Sequence, residues 1–242
     1  METMILNTNA VPVYSFLSFL TRKQAQGKFD QHARILDCGA GGPVPPLALF
    51  RTYGFETFGI DISDLQLERA KAFCEEKGLS IDLRKADMRH LPFEDDYFDC
   101  VYEHYAMCHL NKQDTIVAIG EMNRVTRQGG FCFLGVISLD SWPKYLFGQE
   151  KQPGEYWENE GRHTMFSNQE ADELVRGWKV LAKEKRVQYL PDAVKDISQE
   201  EWMNLCRDCS SSDASIEDWK NQYAQRERFT NYSHIYYILQ KE

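Results

Sequence analysis

The sequence predicts an α/β fold in which a doubly wound, mostly parallel sheet carries helices on both faces. Between residue 34 and about residue 139, short apolar runs alternate with segments of helical periodicity, as in a parallel sheet with crossover helices. The run 98–102 is aromatic and apolar and fits a buried central strand. Two later runs complete an expected seven-stranded sheet. The predicted strands are 34–37, 57–60, 80–84, 98–102, 131–137, 180–190 and 233–239.

The helices between these strands have recognisable ends. Ser63 and Ser167 each begin a capping-box sequence. An apolar stripe with i,i+3 spacing predicts a helix over 114–127, which the Gly129-Gly130 pair would end. The predicted helices are 47–53, 63–77, 114–127 and 167–176.

We expect one domain spanning residues 1–242. Residues 1–33 form an N-terminal segment with an apolar helical stretch, and residues 34–139 form the core. In the remainder, 140–242, an aromatic-rich loop is followed by two edge strands. These strands flank a polar insertion, 191–229, with two short helices.

Composition narrows the possible partners and location. The chain has 28 basic and 37 acidic residues, a net charge of −9, which disfavours nucleic acid and anionic membranes as partners. No apolar run approaches the ~20 residues of a membrane span, and the basic region of a signal peptide is missing, so we expect a cytoplasmic protein. Cys206 and Cys209 form a lone CxxC with no second pair or neighbouring histidine, so we expect no metal site.

The most informative segment is a glycine-rich loop directly after the first predicted strand. It begins with Asp37 and continues through Gly39, Ala40, Gly41 and Gly42. Glycine allows a backbone to come very close to a ligand, because it lacks a Cβ and tolerates positive φ. The preceding carboxylate suits a cationic or hydroxyl-bearing ligand. We therefore predict a cofactor site at this loop.

Acidic residues follow each of the first three predicted strands. Asp37, Asp61 and Asp87 would meet at the carboxyl edge of the sheet, where doubly wound folds bind ligands. Asp61 lies about 20 residues after the loop, the spacing of a carboxylate that accepts hydrogen bonds from ribose hydroxyls. A dinucleotide is disfavoured, because Val44 replaces the third glycine of its fingerprint and three prolines remove amide donors.

Five ordered segments carry a family resemblance. Residues 34–137 resemble the class I S-adenosylmethionine-dependent methyltransferases, which have a Rossmann-like fold, and especially those that act on small molecules. The sequence departs from the family at Pro43, in place of a third glycine, and at Gln128, where proline is common. The matching segments are 35–41, 59–63, 86–88 with 91–93, 98–101 with 109–110, and 121–130.

The resemblance implies S-adenosylmethionine as cofactor and assigns it residues. Asp37 would lie near the ammonium group, Asp61 would hold the ribose hydroxyls, and Asp87 would accept a hydrogen bond from the adenine amino group. The Met88 amide would face the ring, and Glu103 would lie by the methionyl end or the substrate. The predicted cofactor-binding residues are Asp37, Gly39, Ala40, Gly41, Asp61, Ile62, Asp87, Met88 and Glu103.

Methyl transfer depends more on the alignment of donor and acceptor than on catalytic side chains. A general base is needed only where the acceptor loses a proton. The candidate catalytic residues are His104 and Tyr105, after the fourth strand, and Tyr14 in the N-terminal segment. In the family this segment often forms a lid; a helix packed on the sheet is the alternative. The expected pocket wall consists of Trp142, Tyr145, Tyr156, Trp157 and His163.

The resulting functional prediction is methyl transfer from S-adenosylmethionine to a small molecule, with release of S-adenosylhomocysteine. The acceptor atom stays open among nitrogen, oxygen, carbon and sulfur. The alternatives are a protein or tRNA methyltransferase and a non-catalytic, cofactor-binding regulator. The sequence does not indicate an oligomeric state.

Overall fold

The computed structural model describes residues 11–30, 32–142, 147–158, 161–189, 196–209, 216–224, 226 and 231–242. The helices in these ranges are α1 Val11–Ala25, α2 Pro46–Thr52, α3 Asp64–Glu76, α4 Lys112–Val125, α5 Asn168–Leu174, α6 Gln199–Cys209 and α7 Ile216–Ala224. The strands are β1 Arg34–Cys38, β2 Glu56–Asp61, β3 Asp82–Lys85, β4 Phe98–Glu103, β5 Thr126–Ser138, β6 Gln149–Gln152, β7 Glu155–Glu158, β8 Gly161–Phe166, β9 Trp178–Tyr189 and β10 Asn231–Lys241.

The sheet is doubly wound, as predicted. Its first half has the order β3-β2-β1-β4-β5 with every pair parallel, so the strand order reverses at the β1–β4 pair. β10 pairs antiparallel with β5, and β9 pairs antiparallel with β10. The α/β fold class is confirmed, but the strand number is wrong: in the described residues the sheet has 10 strands instead of seven. A reversal of strand order is where such sheets bind ligands.

The extra strands lie in the segment for which the sequence predicts a loop. β6, β7 and β8 form an antiparallel meander, and β8 then joins the end of β5 in parallel, with Met165 opposite Ile137. Gly154, with a φ of +79°, makes the turn between β6 and β7. The prediction of an aromatic-rich loop at the start of 140–242 is therefore wrong over these strands. Their short and polar sequences leave no apolar run by which they could be recognised.

The boundary between α4 and β5 also differs from the prediction. α4 ends at Val125, and β5 begins at once and runs through Gly129 and Gly130. A Cβ atom on Gly130 would lie 2.9 Å from the carbonyl oxygen of Asp99, where the β4–β5 register shifts. These glycines therefore accommodate a bulge in the sheet and do not stop a helix.

Each face of the sheet has its own apolar core. On one face, Phe16 of α1 and Phe50 of α2 are fully buried; on the other, Met122 of α4 is fully buried. Helix α1, part of the predicted lid segment 1–33, is thus built into the core. Residues 1–10 of that segment lie outside the described residues, and a lid function stays a prediction.

The insertion 191–229 contains the two predicted helices, α6 and α7. Trp202 of α6 is fully buried, and its indole nitrogen donates a hydrogen bond to the Trp219 carbonyl at 3.1 Å. The remaining parts of the insertion lie outside the described residues, as do the side chains of Cys206 and Cys209. No helix in the described ranges is long and apolar enough to cross a membrane.

Candidate active site

The loop between β1 and α2 is so closely packed that two of its glycines leave no space for a side chain. Gly39 has a φ of +106°, and a Cβ atom on it would lie 2.3 Å from the Cβ of Ala106. A Cβ on Gly41 would lie 2.3 Å from Oδ2 of Asp61. Ala40 is fully buried, so its methyl group faces the core. The loop therefore joins the ends of β1, β2 and β4 into one rim.

Two buried carboxyl groups lie at the ends of the adjacent strands β1 and β4. Asp37 is 1% exposed and Glu103 is 0% exposed. The amides of Ala106 and Met107 donate to Oε1 of Glu103 at 3.0 and 2.8 Å. Oδ2 of Asp37 and Oε2 of Glu103 have no hydrogen-bond partner among the described residues. The described residues thus bury two carboxylate oxygens without supplying donors to them, and such groups normally find partners.

The environment of these acids disfavours their charged forms. Burial, and then the charges of Glu103 and Asp61, raise the pKa of Asp37 well above its ordinary value of 3.8. Burial raises the pKa of Glu103 from 4.5 to about 7, against the opposing effect of the amides that donate to it. A nearby cation would favour both carboxylates. The site is therefore suited to a positively charged ligand group.

Asp61 connects β2 to the glycine loop. Its Oδ2 atom accepts a hydrogen bond from the Gly41 amide at 3.1 Å, and its Oδ1 atom accepts one from the Ser63 amide at 2.8 Å. The next residue, Ile62, is 65% exposed. A partly exposed carboxylate beside an exposed apolar side chain could bind a ribose diol and pack against a base. These two roles stay predictions.

Asp87 is engaged by a residue that the sequence analysis missed. The Arg89 guanidinium contacts both carboxylate oxygens, at 2.6 to 3.0 Å, and also donates to Asp114 at 2.8 Å. The hydrogen bond from Arg89 lowers the pKa of Asp87. Met88 is half-buried and packs against the core. Adenine binding by Asp87 would therefore compete with the Arg89 contact. Arg89 is only two residues from Asp87, so the sequence could have suggested this pairing.

His104 and Tyr105 lie together just beyond β4, with ring centroids 5.6 Å apart. Nε2 of His104 lies 3.2 Å from the Tyr236 hydroxyl, and burial, then Arg186, lowers the pKa of His104 from 6.5 to about 4. Tyr105 has a φ of +78° and is 46% exposed. Tyr14 is 41% exposed on α1. The structure thus groups two of the three candidate catalytic residues.

β10 brings further rings to this place, and the sequence analysis missed them. Tyr232, His234 and Tyr236 alternate along the strand and so project from one face of the sheet. The His234 ring lies 5.4 Å from Tyr105 and 6.0 Å from His104. The alternation of tyrosine and histidine in a predicted strand was the available signal. Its distance in sequence from β4 hid the association.

The expected aromatic pocket wall divides into separate groups. Trp142 packs on Trp202 of the insertion at 5.3 Å. His163 contacts Phe147, whose ring in turn stacks on Tyr232 at 5.2 Å. The other members of the expected wall are Tyr156, which is buried, Trp157, which is 40% exposed, and Tyr145, which lies outside the described residues.

Comparison with known proteins identifies a methyltransferase domain. Residues 36–134 match the methyltransferase domain family. Over 100 residues the chain is 35% identical to a sterol 24-C-methyltransferase of Pneumocystis carinii, covering 40% of this chain and 26% of that protein. Over 98 residues it is 37% identical to the uncharacterized methyltransferase YcgJ of Bacillus subtilis, covering 40% and 38%. The match thus spans about a quarter to two fifths of these relatives' lengths.

Solved structures resemble nearly the whole chain. The YcgJ structure aligns with a TM-score of 0.61 at 18% identity, covering 93% of this chain and 99% of that one. An S-adenosylmethionine-dependent methyltransferase from Methanosarcina mazei aligns with a TM-score of 0.62 at 17% identity, covering 90% and 96%. At these identities the likeness establishes the fold alone.

The fold, the domain match and the order of motifs together define the class of protein. Residues 36–134 form a methyltransferase domain of the class I S-adenosylmethionine-dependent kind. The family resemblance is confirmed. The predicted cofactor is also confirmed at the level of the class, because proteins of this class use S-adenosylmethionine as methyl donor and release S-adenosylhomocysteine.

Proposed function

We propose that this protein transfers a methyl group from S-adenosylmethionine to a small-molecule acceptor and releases S-adenosylhomocysteine. The observation that carries the proposal is the pair of buried carboxyl groups, Asp37 and Glu103, each with an unpartnered oxygen beside the glycine loop. Burying charge is costly unless it is paired. S-adenosylmethionine carries an ammonium and a sulfonium group, and so supplies both positive charge and N–H donors.

The same rim argues against a phosphate-bearing cofactor. Pyrophosphate would meet the two acids at the ends of β1 and β4 and would be repelled. Pro45 and Pro46 stand at the start of α2, where amide donors would have to bind it. Glycine loops of dinucleotide-binding proteins keep those amides. An adenosyl compound without phosphate fits the residues better.

Other residues of the rim have complementary tasks in this proposal. Asp61 accepts hydrogen bonds from the ribose hydroxyls while still holding the Gly41 amide, since each carboxylate oxygen can accept two hydrogen bonds. Exposed Ile62 packs against the adenine ring. Asp87 binds the adenine amino group once Arg89 turns toward Asp114, to which it is already bonded.

A small acceptor is favoured over a macromolecule. The net charge of −9 disfavours RNA, and the rings beyond β4 form a compact, mostly buried group instead of an open groove. The Pneumocystis carinii relative is named for a sterol, which is a small molecule.

Calorimetry tests the cofactor part of the proposal. Titrations with S-adenosylmethionine and S-adenosylhomocysteine should give saturable binding, and a titration with NAD should give none. NAD binding without binding of either sulfur compound would refute the proposal. Incubation with methyl-labelled S-adenosylmethionine and a metabolite panel then tests for transfer.

A matched pair of variants tests the role of the buried acids. Glu103→Gln keeps the shape of the side chain and removes its charge, so affinity for S-adenosylmethionine should fall by about tenfold to a hundredfold, the usual effect of losing a charged hydrogen bond. The control is Asp64→Asn, because Asp64 is an exposed acid near the rim that forms an ion pair with Lys85. Equal affinities for both variants would remove Glu103 from the cofactor site.

A further inference from the structure

Five rings form a cluster where the segment after β4 packs against β5 and β10. This acceptor cluster consists of His104, Tyr105, Tyr232, His234 and Tyr236. Gly135 of β5 provides the space for it: a Cβ atom there would lie 3.0 Å from the Tyr236 ring and 3.3 Å from the His104 ring. The parallel and antiparallel pairings of β5 therefore bring residues from distant parts of the chain together.

The acceptor cluster adjoins the proposed cofactor rim through one turn. Tyr105 precedes Ala106, and it is the Cβ of Ala106 that leaves no space for a side chain on Gly39. The Ala106 amide also donates to buried Glu103 at 3.0 Å. The turn that carries the Tyr105 ring thus contacts both the glycine loop and one of the two buried acids. An acceptor in the cluster would lie next to the cofactor.

His234 is the centre of the cluster. Its ring is edge-on to Tyr232 at 4.3 Å and stacked on Tyr236 at 5.5 Å. It is 8% exposed, and its Nε2 atom has no hydrogen-bond partner among the described residues. Tyr105, at 46%, is the most exposed ring of the cluster and lies 5.4 Å from His234. Its positive φ, rare for a bulky residue, marks a position held under strain.

Resting on the proposed function, we propose that His234 anchors the methyl acceptor by a hydrogen bond. Tyr105 and Tyr232 are the walls of this subsite, and the acceptor is an uncharged planar molecule with a hydroxyl group, such as a phenol. The Tyr105 ring covers His234 from the solvent side and turns aside when the acceptor enters.

The chemistry of the cluster selects this class of acceptor. Flat rings on several sides suit a planar molecule. Burial lowers the pKa of His234 from 6.5 to about 3, so its imidazole is neutral and does not attract a carboxylate. A hydroxyl can both donate and accept, and therefore satisfies Nε2 in either tautomer. A tertiary amine would fit the aromatic walls but would bring no donor to Nε2.

The reaction balances without any further reagent. The hydroxyl oxygen gains the methyl carbon, the sulfur–methyl bond of the cofactor breaks, and the hydroxyl proton leaves to solvent. His234 directs the hydroxyl by its hydrogen bond. It is therefore a contact for the acceptor and not a store for the proton.

The test uses three probes of matched shape: 2-naphthol, naphthalene and N,N-dimethyl-2-naphthylamine. Nitrogen NMR of the histidine rings, recorded in the complex with S-adenosylhomocysteine, should show a shift of the His234 signal with 2-naphthol only. The His234 signal is assigned by its loss in His234→Phe. With S-adenosylmethionine, 2-naphthol should yield 2-methoxynaphthalene at a rate about tenfold or more lower in His234→Phe, with unchanged cofactor affinity.

Two further variants are controls for this test. Tyr237→Phe removes a hydroxyl from the opposite face of β10, where it bonds to Asp172, and should leave methyl transfer unchanged. His234→Gln keeps a hydrogen-bonding group and should recover part of the rate. An unmoved His234 signal with 2-naphthol, or methylation of the amine alone, would overturn this inference. Failure to bind S-adenosylhomocysteine would instead refute the proposed function.

Discussion

The cofactor rim and the acceptor cluster both bury ionisable groups, but burial raises the pKa values in the rim and lowers them in the cluster. In the rim, burial raises the pKa of Glu103 to about 7 and that of Asp37 well above 3.8. In the cluster, burial lowers the pKa of His104 to about 4 and that of His234 to about 3. A cation entering the rim restores the carboxylates, whereas the imidazoles stay neutral. The two regions are thus prepared for ligands of different charge.

The largest effect should come from separating the two regions at their contact. Gly39→Ala places a Cβ atom 2.3 Å from that of Ala106, at a φ of +106°. The turn carrying Tyr105 must then move away from the loop. We expect cofactor affinity to fall by about a hundredfold or more, and the free energy of unfolding by about 3 kcal/mol from strain and overpacking together. Calorimetry and urea titration measure the two effects.

Gly78→Ala is the control for backbone strain alone. Gly78 has a φ of +64°, and a Cβ atom there would have nothing within 4 Å. This variant should lose about 1 kcal/mol of stability and keep its cofactor affinity. Equal behaviour of the two variants would mean that the loop–turn contact does not couple the regions.

A second test concerns the raised pKa of Glu103 in the rim and uses the dependence of stability on pH. Its pKa in the folded protein, about 7, exceeds its ordinary 4.5, so the folded state holds a proton that the unfolded chain releases. The contribution of Glu103 to stability without cofactor is therefore fully present below about pH 4.5 and is lost as the pH rises through about 7. Glu103→Gln removes this loss, and should be more stable than the parent at about pH 8 by up to about 3 kcal/mol.

Urea titrations of both proteins at several pH values measure this prediction. The difference between them should vanish near about pH 4.5, because both side chains are then uncharged. A difference that does not change with pH would show that Glu103 has the same pKa in the folded and the unfolded protein. The same variant should bind the cofactor more weakly, so stability and binding would move in opposite directions.

The rim was predictable from sequence, and the cluster largely was not. Asp37, Gly39 and Asp61 follow strands within one stretch of alternating elements, and the pairing order of such strands is constrained. Their local sequence therefore indicates their neighbours. Tyr232 and His234 reach Tyr105 only because β10 inserts antiparallel beside β5, across more than a hundred residues of chain. Nothing in the local pattern fixes that pairing.

Other incorrect predictions from the sequence have a similar physical origin. The Gly129-Gly130 pair has the local appearance of a helix stop, but the clash that a side chain would make with Asp99 belongs to the neighbouring strand. The strands β6 to β8 pair mainly with one another and leave polar side chains outside, so no apolar run marks them. Arg89 shows the converse: the local sequence held the information that Asp87 has an internal partner.

His104 provides a third test, because its contribution to stability changes with pH in the opposite direction to that of Glu103. Its pKa in the folded protein, about 4, lies below its ordinary 6.5, so the unfolded chain binds a proton that the folded state excludes. Its contribution to stability is present above about pH 6.5 and is lost as the pH falls through about 4. His104→Phe should gain about 2 kcal/mol relative to the parent at about pH 4, since the ring is only partly buried.

The measurement is the same urea series, taken to lower pH. A parent and variant that differ equally at low and neutral pH would contradict the lowered pKa. The lowered pKa also makes His104 a weak base at neutral pH. If His104 took the acceptor proton, the acid limb of the rate profile would lie near about pH 4 and not near its ordinary value.

The smallest effect should come from Tyr236→Phe. It removes the hydroxyl that lies 3.2 Å from Nε2 of His104 and leaves the ring packed against His234. We expect a loss of about 1 kcal/mol in the free energy of unfolding, together with a shift of the His104 ring nitrogen signal. Tyr237→Phe, which removes a hydroxyl bonded to Asp172 at 2.8 Å, should cost a similar amount without moving that signal. If both variants leave the His104 signal unchanged, Tyr236 does not orient the imidazole, and the rings of the cluster are held by packing alone.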